Sequence, residues 1–210
     1  MKIAVVAASG KAGRKIVAEA ASRGFEVTAF VRRAVEVDGA AKVVVKDIMD
    51  IERGDLENFD AVVDAFGAWT PETLPLHTTT SQHLCDVLSG SNVRLLIVGG
   101  AGSLFVDKEH TTQLLNTPDF PADYVPTAQA QTNELAELRK RNDVKWTFVS
   151  PACDFRADGE RTGKYILAGE ELTLNAAGES IISYADYALA IVDEIANGNH
   201  IRQRISVLKA

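Results

Sequence analysis

The chain has 210 residues, enough for one sizeable core and short for two independent ones. Its 22 Lys and Arg against 29 Asp and Glu leave a net charge of −7, which disfavours a nucleic-acid partner, since such a partner selects a basic face. Cys85 and Cys153 make neither a disulfide framework nor a metal-ligand spacing, and no apolar run is long enough to span a bilayer, so the expectation is a cytoplasmic protein with reduced thiols.

Ile3–Ala7 is a continuous apolar run, the pattern of a parallel strand covered on both faces. A helix follows, with Ala12, Ile16, Val17 and Ala20 on one stripe, Lys15, Glu19 and Arg23 elsewhere, and Gly24 as its stop. Glu26–Val31 and the short, β-branched Lys42–Lys46 read as the second and third strands, and Ala61–Phe66 as a fourth that ends at Gly67. A helix over Leu74–Leu88 leads to a fifth strand, Leu95–Val98, ending at Gly99-Gly100. Asn116–Pro126 is expected to be a long loop. Thr127–Arg141, rich in Ala, Leu, Glu and Gln, reads as a helix, and Thr147–Val149 as the sixth strand, ending at Ser150-Pro151. Asp154–Ile182 is Gly-rich with short strand-like pieces and is expected to face a substrate. A helix over Tyr184–Ala196 and a strand over Arg204–Leu208 end the pattern. Strand and helix alternating in this way build one α/β domain: a doubly wound parallel sheet, right-handed crossovers, and three layers in all. Ligands on such sheets lie beyond the carboxyl ends of the strands, at the switch point, so the residues after each strand carry the function.

In Ala7-Ala8-Ser9-Gly10-Lys11-Ala12-Gly13 a strand runs through a small-residue turn into a helix, where free N–H groups and the helix dipole favour a pyrophosphate. Gly10 would let the backbone approach the phosphates, and Gly13 would bring the helix close to the sheet. Ser9 and Lys11 add a hydroxyl donor and a positive charge, and Ala12 lies in the helix's first turn. A strand–turn–helix without a ligand shares this pattern. About twenty residues on, where an acidic residue would bind ribose hydroxyls, stand Arg32 and Arg33. A guanidinium binds a 2′-phosphate through two parallel charge-assisted hydrogen bonds, so NADP(H) is expected to be preferred, with NAD(H) still accepted. Arg32 is the main candidate and Arg33 an accessory; a solvated charge pair at a strand end is the plainer alternative. Phe66 and Gly67 follow the fourth strand and are expected beside the adenosine. Three glycines in Gly99-Gly100-Ala101-Gly102 suggest close approach of backbone to a flat ring. Trp69, Phe105 and Phe155 follow strands and could stack on a conjugated ring or serve only in packing.

The turn and the chain as a whole resemble the atypical short-chain dehydrogenase/reductase superfamily, whose turn reads Gly-x-x-Gly-x-x-Gly. Gly10 and Gly13 match, and Ala7 stands at the first glycine, a place alanine fits if its φ is negative. The resemblance implies a Rossmann-like fold. It also implies that Asp47 and Ile48 flank an adenine, with the carboxylate on the exocyclic amine; a plain helix cap by Asp47 is the alternative. The superfamily's tyrosine acid with a lysine four residues on is missing: Tyr124, Tyr165, Tyr184 and Tyr187 are followed at that spacing by Ala128, Gly169, Ala188 and Ile191. A carbonyl reductase needs such an acid for its alkoxide, whereas a reduced flavin delocalises the charge and takes its proton from water.

Four further stretches, Val98–Leu104, Trp146–Ala152, Gly159–Tyr165 and Ile182–Ala188, resemble the family known as putative NADH-flavin reductases, related to biliverdin reductase B and NmrA-like proteins. The resemblance implies that Gly99, Gly100, Ser150 and Pro151 lie along the cofactor. With Trp69, Phe105 and Phe155, Leu104 and Tyr165 are the candidate substrate contacts, Tyr165 being in the insertion and open to simple solvation instead; Ser103 could donate a catalytic hydrogen bond or be only a turn serine. The expected activity is hydride transfer from NADPH to a flavin, or a similar flat conjugated acceptor, with the flavin as substrate rather than prosthetic group. No metal is expected, since His77 and His83 do not share a helix face. The expected partner is a small flat molecule, with no nucleic acid and no membrane, and the protein a monomer or homodimer. Two readings stay open beside this one: an NmrA-like dinucleotide sensor without turnover, and a reductase or isomerase of a small carbonyl compound.

Overall fold

The computed structural model describes all 210 residues. Its strands are β1 (Lys2–Val6), β2 (Glu26–Val31), β3 (Lys42–Val45), β4 (Ala61–Asp64), β5 (Arg94–Val98), β6 (Lys145–Ser150), β7 (Asp154–Arg156), β8 (Tyr165–Ala168), β9 (Ile181–Ser183) and β10 (Gln203–Lys209). Its helices are α1 (Lys11–Ser22), the single turn α2 (Arg53–Leu56), α3 (Leu76–Leu88), α4 (Val125–Leu138) and α5 (Tyr184–Asn197). Eight strands form one sheet in the order β3-β2-β1-β4-β5-β6-β10-β8, and all but β8 run parallel to their neighbours. This is the Rossmann-like α/β arrangement expected from the alternation of strand and helix.

The central strands are apolar throughout because both faces are covered. Along β1, Ile3 and Val5 enter one core with Ile16, Val17 and Ala20 of α1 and Ile191 and Ile195 of α5. Ala4 and Val6 enter the opposite core with Leu84 and Leu88 of α3 and Leu135 and Leu138 of α4. The two-residue alternation of a strand thus distributes one run between two layers. No helix is long and apolar enough to cross a membrane.

Two strand ends fall earlier than the apolar runs suggest. β4 stops at Asp64, not Phe66, because the Asp64 carboxylate accepts the Phe66 N–H at 3.0 Å and turns the chain. β1 stops at Val6 because Ala7 has φ +55°. The segment 154–182 also departs from expectation. β7 and β9 pair in a separate two-stranded sheet, and β8 joins the main sheet antiparallel to β10. The turn before β8 is tied to the α1/α5 layer. Asp186 accepts the Thr162 and Gly163 N–H groups at 2.9–3.0 Å, and Arg161 pairs with Glu19. Arg161–Gly163 are therefore held against the helices, while most of the segment stays exposed or half-buried.

One buried ion pair ties the sheet to α5. Arg94, at the start of β5, donates to Glu194 of α5 at 2.8 Å and to the Thr147 hydroxyl at 2.7 Å. Glu194 also accepts the His200 N–H at 2.9 Å and approaches His200 Nδ1 at 2.7 Å.

Candidate functional site

The carboxyl ends of β1 to β6 share one edge of the sheet. The chain runs outward from β1 through β2 to β3, then returns to pair β4 on the other flank of β1, so the switch point lies between β1 and β4. There Gly10 N–H closes a turn on the Ala7 carbonyl at 3.1 Å, and Gly10 precedes α1 with no side-chain cap. The first helical bond is Arg14 N–H to the Gly10 carbonyl, so the N–H groups of Ser9, Lys11, Ala12 and Gly13 have no protein acceptor. Ser9, Gly10 and Lys11 are exposed; Ala12 is half-buried and Gly13 buried. A Cβ at Gly13 would lie 2.8 Å from the Ala8 Cα and 2.9 Å from the Ala7 carbonyl oxygen, which accounts for glycine there. Ala7 corrects the sequence reading: its φ is positive, so it occupies the left-handed region that glycine takes without strain.

Arg32 and Arg33 leave β2 at this same edge, and both are exposed. Neither they nor Lys11, Arg14 and Lys15 of α1 form an ion pair within the protein. Lys11, Arg14 and Lys15 line an open cleft of about 350 Å³ together with Asp38 and Asp158. Arg14, which the sequence reading passes over as one more charged helix residue, donates to the backbone carbonyls of Ser9 at 3.1 Å and Glu36 at 3.0 Å.

After β3, Asp47 caps the short 3-10 turn Ile48–Asp50 by accepting the Met49 N–H at 3.0 Å, while Ile48 packs against the α3/α4 core. The cap is the role the geometry displays. After β4, Phe66 meets His77 edge-on at 5.5 Å, Gly67 is exposed, and the Trp69 indole lies over Gly67 with 70% of its surface open.

Beneath this segment lies a cluster that sequence reasoning missed: Asp64, His77 and Glu134, each 2% exposed. His77 Nε2 sits 3.3 Å from both the N–H and the carbonyl of Ala68, and its Nδ1 is 3.8 Å from Glu134. One oxygen each of Asp64 and Glu134 has no partner. Burial pushes the Asp64 carboxyl up to about 6 and holds His77 down, and burial together with Asp64 raises Glu134 well above the carboxylate range. Both shifts disfavour the charged forms, so the His77–Glu134 contact is not a strong ion pair. The spacing from His83 speaks to His77 only as a metal ligand, and the two acids stand 70 residues apart in sequence. Folded Asp64 holds its proton more tightly than the unfolded chain, so its contribution to stability falls as pH rises from about 4 to about 6. Asp64→Asn keeps an acceptor for Phe66 and cannot ionise. Urea unfolding between pH 4 and pH 7 is expected to show a flatter profile, with the variant more stable at pH 7 by about 2 kcal/mol.

The far part of the edge corrects several expectations. A Cβ at Gly99 would lie 2.2 Å from the Phe148 ring, one at Gly100 2.1 Å from Gln131 of α4, and one at Gly102 2.6 Å from Ala128 of α4. The glycines clear space for internal packing rather than for a flat ring. Ser103 and Ser150 are buried, and the interior guanidinium of Arg204 donates to their hydroxyls at 3.4 and 3.5 Å. Arg204 also pairs with Glu170. Ser103 thus anchors its loop internally and is not presented as a catalytic donor; Leu104 beside it is 2% exposed and Pro151 is buried. Phe105 stacks on His110 at 4.6 Å, and Phe155 packs on Tyr184 and Tyr187 at 3.9 and 4.8 Å. The Tyr165 hydroxyl donates to Asp193 of α5 at 2.8 Å, which leaves it committed to the helix layer. Of the five proposed substrate residues, Trp69 alone is largely exposed.

A family model described as NAD(P)H-binding matches residues 7–197. The uncharacterized protein YwnB of Bacillus subtilis (strain 168) is 45% identical over 210 residues, covering 99% of this chain and 98% of that protein. A crystal structure described as a putative NADH-flavin reductase, from Streptococcus pneumoniae TIGR4, is 53% identical with a TM-score of 0.97 and covers 100% of both chains. A crystal structure of a Lactobacillus casei protein is 34% identical with a TM-score of 0.89, again over 100% of both chains.

Proposed function

The chain belongs to the NAD(P)H-binding family, and from that premise we propose that it is an oxidoreductase that uses NADPH in preference to NADH to reduce a flavin or similar flat conjugated acceptor. The observation that carries the reading is the pairing of four acceptor-free N–H groups at the start of α1 with five cations that form no ion pair within the protein, although Asp38 and Asp158 share the cleft with three of them. In a chain of net charge −7 this is a local site for phosphates. The N–H groups of Ser9, Lys11, Ala12 and Gly13 would hold a pyrophosphate, and Arg32, with Arg33 beside it, a 2′-phosphate. Asp47 and Ile48, with Phe66 and Gly67, would border the adenosine. The nicotinamide would extend toward the ends of β5 and β6, past the backbone of Gly99 and Gly100 and of Ser150 and Pro151, whose side-chain space is taken up by internal packing.

When bound, the nicotinamide supplies the hydride. The protein's share is orientation and exclusion of water. The Streptococcus pneumoniae relative's description supports a flavin acceptor. So does the lack of a positioned acid: Ser103 is buried on Arg204, and no tyrosine has a lysine four residues on. A flavin acceptor tolerates this, since its ring delocalises the charge and water can protonate it. The exposed indole of Trp69 is the surface on which such a ring would stack. The same reading takes the 210 residues as one domain, working in the cytoplasm as a monomer or homodimer.

The test follows NADPH and NADH oxidation with FMN, FAD, riboflavin and a quinone. Turnover on a flavin with the lower KM for NADPH is expected; tight NADPH binding without turnover on any acceptor overturns the reductase reading. Arg32→Ala is expected to weaken NADPH by about tenfold to a hundredfold, the size of lost charge-assisted hydrogen bonds, and to leave NADH nearly unchanged. Equal losses for both would remove the 2′-phosphate assignment.

A further inference from the structure

The segment that carries Arg32 and Arg33 is held by very little. Residues 32–36 lie between β2 and the buried Val37, all five are exposed, and their backbone groups make no bond to other backbone. The one hydrogen bond that reaches them comes from a side chain, Arg14 Nη1 to the Glu36 carbonyl at 3.0 Å. The same guanidinium donates through Nε to the Ser9 carbonyl at 3.1 Å, inside the turn that opens α1. Both acceptors are backbone, so the link fixes the path of two chain segments relative to each other and does not depend on the side chains at 9 and 36.

We propose that Arg14 is the positioning residue for dinucleotide choice: it ties the Arg32–Arg33 segment to the pyrophosphate turn and so fixes the spacing at which a 2′-phosphate is met. This rests on the 2′-phosphate reading above. A planar guanidinium with donors on separate nitrogens can span two carbonyls, which the single ammonium of lysine does poorly. Arg14 forms no ion pair, and it shares its cleft with Lys11 and Lys15 as well as with Asp38 and Asp158. Without the link, residues 32–36 would sample many conformations, and each productive encounter with a 2′-phosphate would carry the entropy of ordering them. NADH, which lacks that phosphate, does not need the segment ordered. Since Ser9 and Glu36 are exposed, water replaces the lost donor, and the fold does not depend on the link.

The experiment measures Kd for NADPH and NADH with wild type, Arg14→Met and Arg14→Lys, alongside trypsin cleavage after Arg32 and Arg33 in the cofactor-free proteins. Arg14→Met is expected to reduce the NADPH-over-NADH preference about fivefold to tenfold, almost wholly through NADPH, with unchanged melting temperature and faster cleavage. Arg14→Lys is expected to lose most of the same preference despite its charge. A preference retained in Arg14→Met, or fully restored by Arg14→Lys, overturns the tether. A wild-type protein that binds both dinucleotides equally overturns the 2′-phosphate reading itself, and the wild-type arm alone reports that.

Discussion

Replacing Glu194 with alanine is expected to remove about 3–5 kcal/mol of folding free energy, as breaking one half of a buried ion pair does. Arg94 is nearly enclosed, and Glu194 takes one of its two Nη groups by side chain and the other by the backbone carbonyl at 2.6 Å. Truncation leaves the guanidinium buried with the Thr147 hydroxyl and that carbonyl as its only remaining acceptors. It also frees the His200 end of the α5–β10 connection. Domains are stable by only about 5–15 kcal/mol, so the loss is a large share of the whole. The sign with pH is opposite to that of Asp64. Burial works against ionisation of Glu194, but hydrogen bonds from His200 and Arg94 outweigh it and lower its carboxyl below the ordinary value. Its contribution is therefore present above about pH 4.5 and is lost as pH falls through the lowered folded value. Urea unfolding of wild type and Glu194→Ala should differ most near pH 7 and converge in acid. Arg94→Met in the alanine background should recover part of the loss, since a buried pair replaced by apolar groups is often neutral. A single variant as stable as wild type at pH 7 would show that solvent reaches the pair.

The parallel strands were legible because burial on both faces leaves a run such as Ala61-Val62-Val63 with no polar residue, a pattern that survives without tertiary context. The turn before α1 was legible for a similar reason: strand, small residues and helix lie within one short stretch. What depends on residues distant in sequence was not. Arg94, Glu194 and Arg204 carry the same letters as surface charges, and their burial follows from how α5 and β10 meet the sheet. Asp64, His77 and Glu134 converge because α3 and α4 pack over β4. The three-residue strands β7 and β9 have too little length for a periodic signal. Gly99, Gly100 and Gly102 show the limit of reading a glycine as ligand clearance. The missing side chain creates space, but only the structure shows that Phe148 and α4 fill it. Ala7 is the opposite case, since its letter gives no sign of a positive φ. Arg14 was illegible because its acceptors are carbonyls, which every residue carries.

Gly13→Ala should weaken both dinucleotides together, and by more than any change at the arginine segment weakens NADH. In a helix this substitution ordinarily helps, by about 1 kcal/mol. Here the new Cβ would lie 2.8–3.0 Å from Ala8 Cα, the Ala7 carbonyl oxygen and Ala8 C. All three are backbone, so no rotamer change relieves the contact, and the start of α1 must move off the turn. Overpacking of this kind costs about 1–3 kcal/mol. The movement swings the N–H groups of Lys11, Ala12 and Gly13, the donors proposed for the pyrophosphate, out of convergence. Both NADPH and NADH carry that pyrophosphate, so each should lose about tenfold to a hundredfold in affinity, with a further loss for NADPH if the shift also disturbs Arg14, the next residue on α1. Ala7→Gly serves as the matched control one turn earlier. It relieves a left-handed alanine worth about 1 kcal/mol while adding a similar amount of unfolded-state entropy, so stability and affinity should stay near wild type. Isothermal titration of the three proteins with both dinucleotides separates the cases. Wild-type affinity for both dinucleotides in Gly13→Ala would place the pyrophosphate away from α1.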